Sequence, residues 1–374
     1  MRIGIDLHAI NEFMQGSQTY IYNITKSLIE IDDSNEYFLY FTGKESTFEA
    51  LFLHKTNVHC KIIKPVTRFI RIPIAFPLKL AIDRVDIFHC QYMGWKFSCP
   101  FVVSLHDIIH ETDPKLYPTF NRFLMSLFYP ISARLAAKVL TISNYTKEQI
   151  FKIYKIPRKK IEVIYCGVSD EFRVIKDQTK IRHIAAKYGI QGPYILFVGR
   201  IEPRKNIIRL IRAFRALRSE TKNNHKLVIA GMQDDQFKDF NRQIGKMQSE
   251  DGVLFTGRVS RRDLPYIYNG ADLFVYPSYG EGFGLPPLEA MACGVPVITS
   301  NTTSLPEVVG DAGVMIDPYD TGELVASMKR LLSDESLCNR LRQAGLQRAT
   351  HFTWETAAKE TLKVYQEING LRQH

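Results

Sequence analysis

Short runs of Val, Ile, Leu and Phe recur along the whole chain with little polar alternation inside them. In the first half they fall at Arg2–Asp6, Tyr37–Thr42, Val85–His89, Phe101–Leu105, Lys138–Ile142 and Ile161–Tyr165. In the second half they fall at Tyr194–Gly199, Lys226–Gly231, Val253–Thr256, Leu273–Tyr276, Val295–Thr299 and Val314–Ile316. Continuous apolar runs mark strands buried on both faces, the habit of parallel sheets. Helical patterns separate them, which predicts an α/β protein with doubly wound, Rossmann-like sheets. Two sets of about six strands predict two such domains. The polar stretch Val174–Thr179 marks the boundary, so the domains are expected over 1–173 and 174–354. A helix is expected at Thr179–Tyr188. Another is expected over Trp354–Ile368, with Trp354, Ala357, Ala358, Leu362 and Tyr365 near one face. In such sheets ligands bind beyond the carboxyl ends of the strands, so two facing domains predict a site in a cleft.

Composition narrows this picture. A chain of 374 residues suits two domains, and 45% hydrophobic with 24% charged residues is ordinary for a globular protein. No apolar run approaches the ~18 residues that cross a bilayer. The start, with Asp6 inside its first apolar run, lacks the layout of a signal peptide, and a cytoplasmic protein is expected. Six cysteines form no C-x-x-C pair, so neither a zinc site nor a redox pair is indicated. The net charge of +10 suits an anionic partner: nucleic acid, an anionic membrane face or a phosphorylated substrate. No nucleic-acid-binding signature is present, so nucleic acid is not expected.

Four strand-end loops carry candidate chemistry. In "GEGFGLPPLEAMACG", Gly280 to Gly294, a turn of Gly282, Phe283 and Gly284 precedes Leu285 and the pair Pro286-Pro287. Proline suits a first helical turn, because its missing amide would go unused there. The turn then aims backbone N–H groups at an anion from a helix N-terminus. Glu281 sits in the loop and Glu289 in the first turn of the helix; both are placed to bond sugar or ribose hydroxyls. The alternative, a plain turn with a helix-favouring acid, fits any one element better than it fits the combination. In "FVGRIEPRKN", Arg200 and Lys205 follow a strand. Two cations there would clamp a diphosphate, Arg bidentately and Lys as a point charge. A solvated basic turn explains the same residues equally well.

In "VVSLHDIIHETDP", His106 closes a first-domain strand, placed to bond a hydroxyl or move a proton. A core histidine bonded to the backbone is its rival. His106 and His110 have the spacing of a helical metal pair, but no third ligand is evident and no metal is expected. Last, Gly16 and Ser17 open a helix after the first strand. A single glycine is a weak phosphate signal, and without G-x-G-x-x-G a nicotinamide enzyme is disfavoured.

With these loops placed, the chain resembles the retaining glycosyltransferases of family 4, which adopt the GT-B fold of two Rossmann-like domains facing across a cleft. The likeness runs nearly end to end through "GRIEPRKN", "YPSYGEGFGLPPLEAMACGVPVITSNTTSLPEVVGDAG" and "FTWETAA". The E-x7-E spacing of Glu281 and Glu289 is its most specific element. The resemblance implies that Arg200 and Lys205 hold the donor diphosphate and that Glu289 bonds the ribose. Glu281, with the Gly282–Leu285 turn and the Phe283 and Gly284 amides, would hold the donor sugar. His106 would lie near that sugar, and Gly16 near the diphosphate. The loop Gly257–Leu264, with Val259, would approach the base. It further implies a nucleotide-sugar donor, no cofactor, no metal, and a terminal helix, about 355–374, that crosses back onto the first domain. Two departures stand out: Gln15 where the family often has a second glycine, and Cys166 where it commonly has Asn.

Within that family the first domain looks most like bacterial mannosyltransferases of surface-polysaccharide assembly, so GDP-mannose is the expected donor. UDP-hexoses are the alternative, and a non-catalytic nucleotide-sugar-binding protein is a distant one. The expected acceptor is a lipid-linked oligosaccharide at the inner membrane face. Arg68–Arg84 interleaves Arg68, Arg71, Lys79 and Arg84 with apolar residues, and Phe120–Val139 adds Arg122, Arg134 and Lys138. Such stretches suit either peripheral docking on anionic lipid or core helices with a solvated basic edge.

Overall fold

The computed structural model describes residues 1–371 apart from 9, 11–15, 44–50, 53, 66, 222–223 and 248–251. Gln15 lies outside the described residues. The chain forms two compact units, Met1–Gly167 joined by Thr353–His374, and Val168–Phe352.

In the first unit the strands are β1 (Arg2–Asp6), β2 (Glu36–Phe41), β3 (Val58–Ile62), β4 (Ile87–Gln91), β5 (Phe101–Ser104), β6 (Lys138–Thr141) and β7 (Ile161–Val163). They form one parallel sheet in the order β3-β2-β1-β4-β5-β6-β7. The apolar runs located six of these strands. The seventh, β3, reads Val-His-Cys-Lys-Ile, lies at the sheet edge and is only partly buried. An edge strand has one neighbour and weaker burial, so it leaves no continuous apolar run.

The second unit holds β8 (Tyr194–Val198), β9 (Lys226–Ala230), β10 (Val253–Gly257), β11 (Leu273–Tyr276), β12 (Val297–Ser300) and β13 (Val314–Ile316). Their order is β10-β9-β8-β11-β12-β13, again parallel. In both sheets the winding reverses beside the first strand, between β1 and β4 and between β8 and β11. Crossovers leave in opposite directions there, which opens a crevice at the strand ends.

Layers follow from the alternation along the strands. On one face of the first sheet, Phe88, Cys90, Phe101 and Val103 pack with Phe76, Leu80, Tyr129 and Ala133 from the covering helices. On the other face, His89 Nδ1 bonds the Tyr365 hydroxyl at 2.6 Å, tying in the terminal helix Trp354–Gly370. That helix lies on the helix Ser17–Ile31, where Tyr20 meets Trp354 edge-on. Gly167 makes this return tight: a Cβ there would lie 2.1 Å from the Trp354 amide nitrogen. Cys166 beside it is buried, and burial pushes its thiol well up.

Candidate active site

The loops after β8 and β11 leave adjacent strands at the switch point of the second sheet. After β8 the chain passes Arg200 and makes a short turn, Pro203–Lys205, that ends on Asn206 in the left-handed region at φ 58°. The Asn206 side chain donates to the carbonyls of Pro277 (3.0 Å) and Pro318 (2.8 Å), which fastens this turn to two other loops. The Arg204 carbonyl accepts from the Tyr279 amide at 2.9 Å and the Ser278 hydroxyl at 3.1 Å. This knitting sets which cation turns inward.

Lys205 and Arg204 both turn to Glu281. Glu281 Oε1 accepts from Lys205 Nζ at 2.7 Å and from Ser278 Oγ at 2.5 Å; Oε2 accepts from Arg204 Nη1 at 3.0 Å. Lys205 also donates to the Tyr276 hydroxyl at 2.6 Å, and Arg204 to Glu202 at 2.8 Å. Glu281 and Lys205 are both buried. Burial alone would raise the Glu281 carboxyl; Arg204, Lys205 and Ser278 outweigh it and hold it down at about 2. Burial and the neighbouring Arg204 lower Lys205, with Glu281 opposing them. A carboxylate offers about four acceptor positions. Lys205, Ser278 and Arg204 occupy three of them, and the Tyr276 hydroxyl also interacts with this carboxylate.

The turn after Glu281 is held from behind. Thr303 Oγ1 accepts from the Glu281 amide at 3.0 Å, and the Ser304 hydroxyl contacts the carbonyls of Glu281 and Phe283, both at 2.8 Å. Gly282, Phe283 and Gly284 are buried, and Phe283 meets Phe352 edge-on. Gly284 has φ 118° and would set a Cβ 2.8 Å from Leu305, so only glycine fits. Leu285 then opens the helix Leu285–Ala292, with Pro286 and Pro287 in its first turn. Glu289 is expected in the first turn, but the helix begins only at Leu285, after the glycine turn, so Glu289 lies one turn farther along. It accepts from the Tyr268 hydroxyl at 2.8 Å. Burial raises its carboxyl to about 7 against the pull of Tyr268 and Arg261.

The other expected residues lie apart from this cluster. Arg200 is exposed and pairs with Asp234 at 3.0 Å. Val259 sits half-buried in the loop after β10. Gly16 and His106 belong to the first unit. Gly16 is exposed at the start of the helix Ser17–Ile31, with φ 37°. His106 is buried: its Nε2 meets Gln91 Oε1 at 2.8 Å, and Tyr20 and Tyr92 meet the ring edge-on. Its Nδ1 has no partner among the described residues. Burial, helped by His89, lowers the imidazole to about 3, so it is neutral at physiological pH. His110 is also buried, against the Tyr154 hydroxyl at 3.2 Å. No group of three His, Cys, Asp or Glu able to hold a metal occurs among the described residues.

Sequence reasoning passed over Arg204 and Ser278. Arg204 stood in plain view in "EPRKN", but nothing in the string separates it from Arg200 as the cation that reaches Glu281.

The family model for glycosyl transferases group 1 matches residues 177–348, and that for glycosyltransferase family 4 matches 14–172. The chain is 35% identical over 281 residues to O-antigen chain mannosyltransferase B of Escherichia coli, covering 73% of each chain. It is 34% identical over 272 residues to the serotype-specific mannosyltransferase WbdA of Escherichia coli. That match takes in 71% of this chain and 32% of the relative, so the chain spans about a third of that protein. Among solved structures, sucrose-phosphate synthase from Thermosynechococcus elongatus has a TM-score of 0.78 at 20% identity over 99% of each chain, a likeness of fold.

Proposed function

The chain belongs to family 4 of the glycosyltransferases, and on that premise we propose that it moves mannose from GDP-mannose onto a lipid-linked oligosaccharide of a bacterial surface polysaccharide. Its fold is GT-B and its activity that of a hexosyltransferase. The sugar, the nucleotide and the acceptor are the proposal. The observation that carries the sugar is the 35% identity to an O-antigen chain mannosyltransferase across 73% of both chains.

The site supports the chemistry in this way. The bond from the anomeric carbon to the donor diphosphate breaks as the acceptor hydroxyl attacks from the same face, so configuration is retained. The acceptor proton passes to the departing phosphate oxygen. Charge builds on the diphosphate, and fixed cations, Lys205 and Arg200, lower that barrier. Glu281 is ionised at every physiological pH and therefore only accepts hydrogen bonds, which suits a sugar hydroxyl. Glu289 takes the ribose. The Gly282–Leu285 turn presents amides to the donor, and the Val259 loop meets the base. In this reading Gly16 serves the diphosphate, and His106, being neutral, offers a hydrogen bond rather than a strong acid. The reaction needs no metal in this scheme, and the protein works at the cytoplasmic side of the membrane. Among the described residues no helix is long and apolar enough to cross it.

The test is a thermal-shift panel of nucleotides and nucleotide sugars without metal. A donor at a hundred times its dissociation constant stabilises the fold by about 2.7 kcal/mol. A shift with GDP and GDP-mannose is expected. A shift with UDP compounds alone overturns the donor and leaves the fold and mechanism standing.

A further inference from the structure

Glu281 and Glu289 belong to one loop and the helix after it, yet cations bond only the first. Lys205 and Arg204 both donate to Glu281. Among the described residues Glu289 has a single hydrogen-bond donor, the Tyr268 hydroxyl, 2.8 Å from Oε2. The Glu289 side chain is half-buried, whereas Tyr268 is wholly buried. Arg261 acts on Glu289 only through its charge, because its guanidinium is bonded to Glu171 Oε1 at 2.8 Å and Ser169 Oγ at 3.0 Å. The Glu171 charge opposes it. Cys293, one turn on in the same helix, is a buried thiol that keeps its proton.

Tyr268 lies in the short helix Leu264–Asn269, which is fastened at several points. The Tyr194 hydroxyl donates to the Ile267 carbonyl at 2.7 Å. Asn269 Nδ2 donates to the Arg173 carbonyl at 2.9 Å, and its Oδ1 accepts from the Ile175 amide at 2.7 Å. The Tyr268 ring meets Phe172 edge-on with centroids 5.8 Å apart, and Phe274 at 5.5 Å. A ring held in this way fixes where its hydroxyl stands. A buried tyrosine hydroxyl ordinarily takes a partner. Here the partner is the acid that the ribose reading singles out.

We propose that Tyr268 is a positioning residue for donor capture, holding Glu289 Oε2 so that the other carboxylate oxygen is offered to the ribose diol of a nucleoside diphosphate sugar. The inference rests on the reading that Glu289 takes the ribose. The bond also acts on charge, since a hydroxyl donor favours the carboxylate over the acid. Burial works the other way and leaves the carboxyl at about 7, with Tyr268 first among the groups that pull it down. A charged acceptor makes a hydrogen bond roughly twice as strong as a neutral one. Nucleotide affinity is therefore tied to the proton on Glu289. Removing the Tyr268 hydroxyl raises the pH at which that proton leaves. A tyrosine that only fills space would leave that pH unchanged.

The experiment titrates the full chain with GDP and with UDP by calorimetry, from about pH 6 to about pH 9, for wild type, Tyr268→Phe and Glu289→Gln. The ratio of variant to wild type at each pH removes the nucleotide's own titration. Tyr268→Phe keeps the ring against Phe172 and Phe274, so the fold should hold; the melting temperature is measured alongside. Its affinity is expected to fall about tenfold near pH ~7 and to recover most of that loss near pH ~9. Glu289→Gln cannot ionise, so it should fall behind wild type as pH rises, by about tenfold near pH ~9. Without nucleotide, the stability of Tyr268→Phe should go on falling above pH ~7, because the folded form keeps its proton to a higher pH. A loss of equal size at every pH makes Tyr268 a packing residue and overturns the inference, as does no loss. If Glu289→Gln binds both nucleotides as wild type does at every pH, the ribose reading falls and takes the inference with it. A pH-dependent loss in Glu289→Gln without one in Tyr268→Phe sinks the inference alone. Failure of wild type to bind either nucleotide overturns both.

Discussion

His106 and Glu281 each lie just beyond a strand of a parallel sheet, His106 after β5, one strand away from the switch point, and Glu281 after β11, which borders it; their surroundings are opposite. Glu281 is a buried charge with three charged or polar donors on its carboxylate. His106 is a buried neutral ring with one amide partner, two aromatic neighbours and, among the described residues, an unpartnered nitrogen. The difference lies in the loops. The second unit brings Pro203–Lys205 against Pro277–Glu281, so cations arrive with the acid. The first unit brings Tyr20, Tyr92 and Gln91, which satisfy shape and one hydrogen bond. Burial then acts in opposite senses: compensated, it yields a permanent carboxylate, and uncompensated, it removes the charge.

The sharpest way to break this contrast is to take Glu281 away. Glu281→Ala leaves Lys205 buried without its carboxylate, so a stability loss of about 3–5 kcal/mol is expected by denaturant titration. If stability changes by less than ~1 kcal/mol, the pair is not a buried ion pair in solution. Next comes Lys205→Ala, for which kcat with donor and acceptor should fall about 10²–10³-fold. Arg204→Lys and Arg200→Lys sharpen the picture further. Loss of the planar guanidinium that joins Glu281 to Glu202 and the Gly280 carbonyl should cost on the order of tenfold in kcat/KM through a displaced Glu281. Arg200, paired outward with Asp234, tests whether that ion pair opens for the donor; an unchanged kcat/KM in Arg200→Lys would remove Arg200 from the diphosphate site.

His106→Gln is expected to lower kcat by less than about tenfold while costing ~1–2 kcal/mol of stability. A fall of about 10³-fold with stability intact would make it a proton carrier and end the contrast. The smallest effect concerns pH. Glu289 holds its proton up to about 7 when folded, against an ordinary value of 4.5, so the folded form binds more protons between those values. Its contribution therefore weakens stability as pH rises through that window, and Glu289→Gln should flatten the slope. Glu281 has the opposite sign: its contribution is present above 4.5 and is lost as pH falls toward 2. Melting temperatures from about pH 2 to about pH 8, for both variants, read the two slopes.

Much of the fold was legible because strands buried on both faces cannot carry polar residues. Twelve of the thirteen strands among the described residues announce themselves in this way, with ends shifted by a residue or two, as at Ile87–Gln91 and Val297–Ser300. The strand Val58–Ile62 does not, since it is only partly shielded from water. The Gly282–Gly284 turn and the helix behind Pro286-Pro287 were also legible, because φ and amide requirements are local. Which charges meet was not. Arg200, Arg204 and Lys205 are equivalent as letters; the left-handed Asn206 and its bonds to Pro277 and Pro318 decide that two of them face Glu281. Likewise, the mixture of cations and apolar residues at Arg68–Arg84 was visible, but that Arg71 turns inward while Leu78 and Ile82 stand in solvent was not. By itself the sequence determined the parallel sheets, the glycine turn and the presence of cations and acids at strand ends, all consequences of local pattern. The tertiary structure decided which side chains pair, which face outward and which protons they keep, because those depend on neighbours far away in the chain and on the water their contacts exclude.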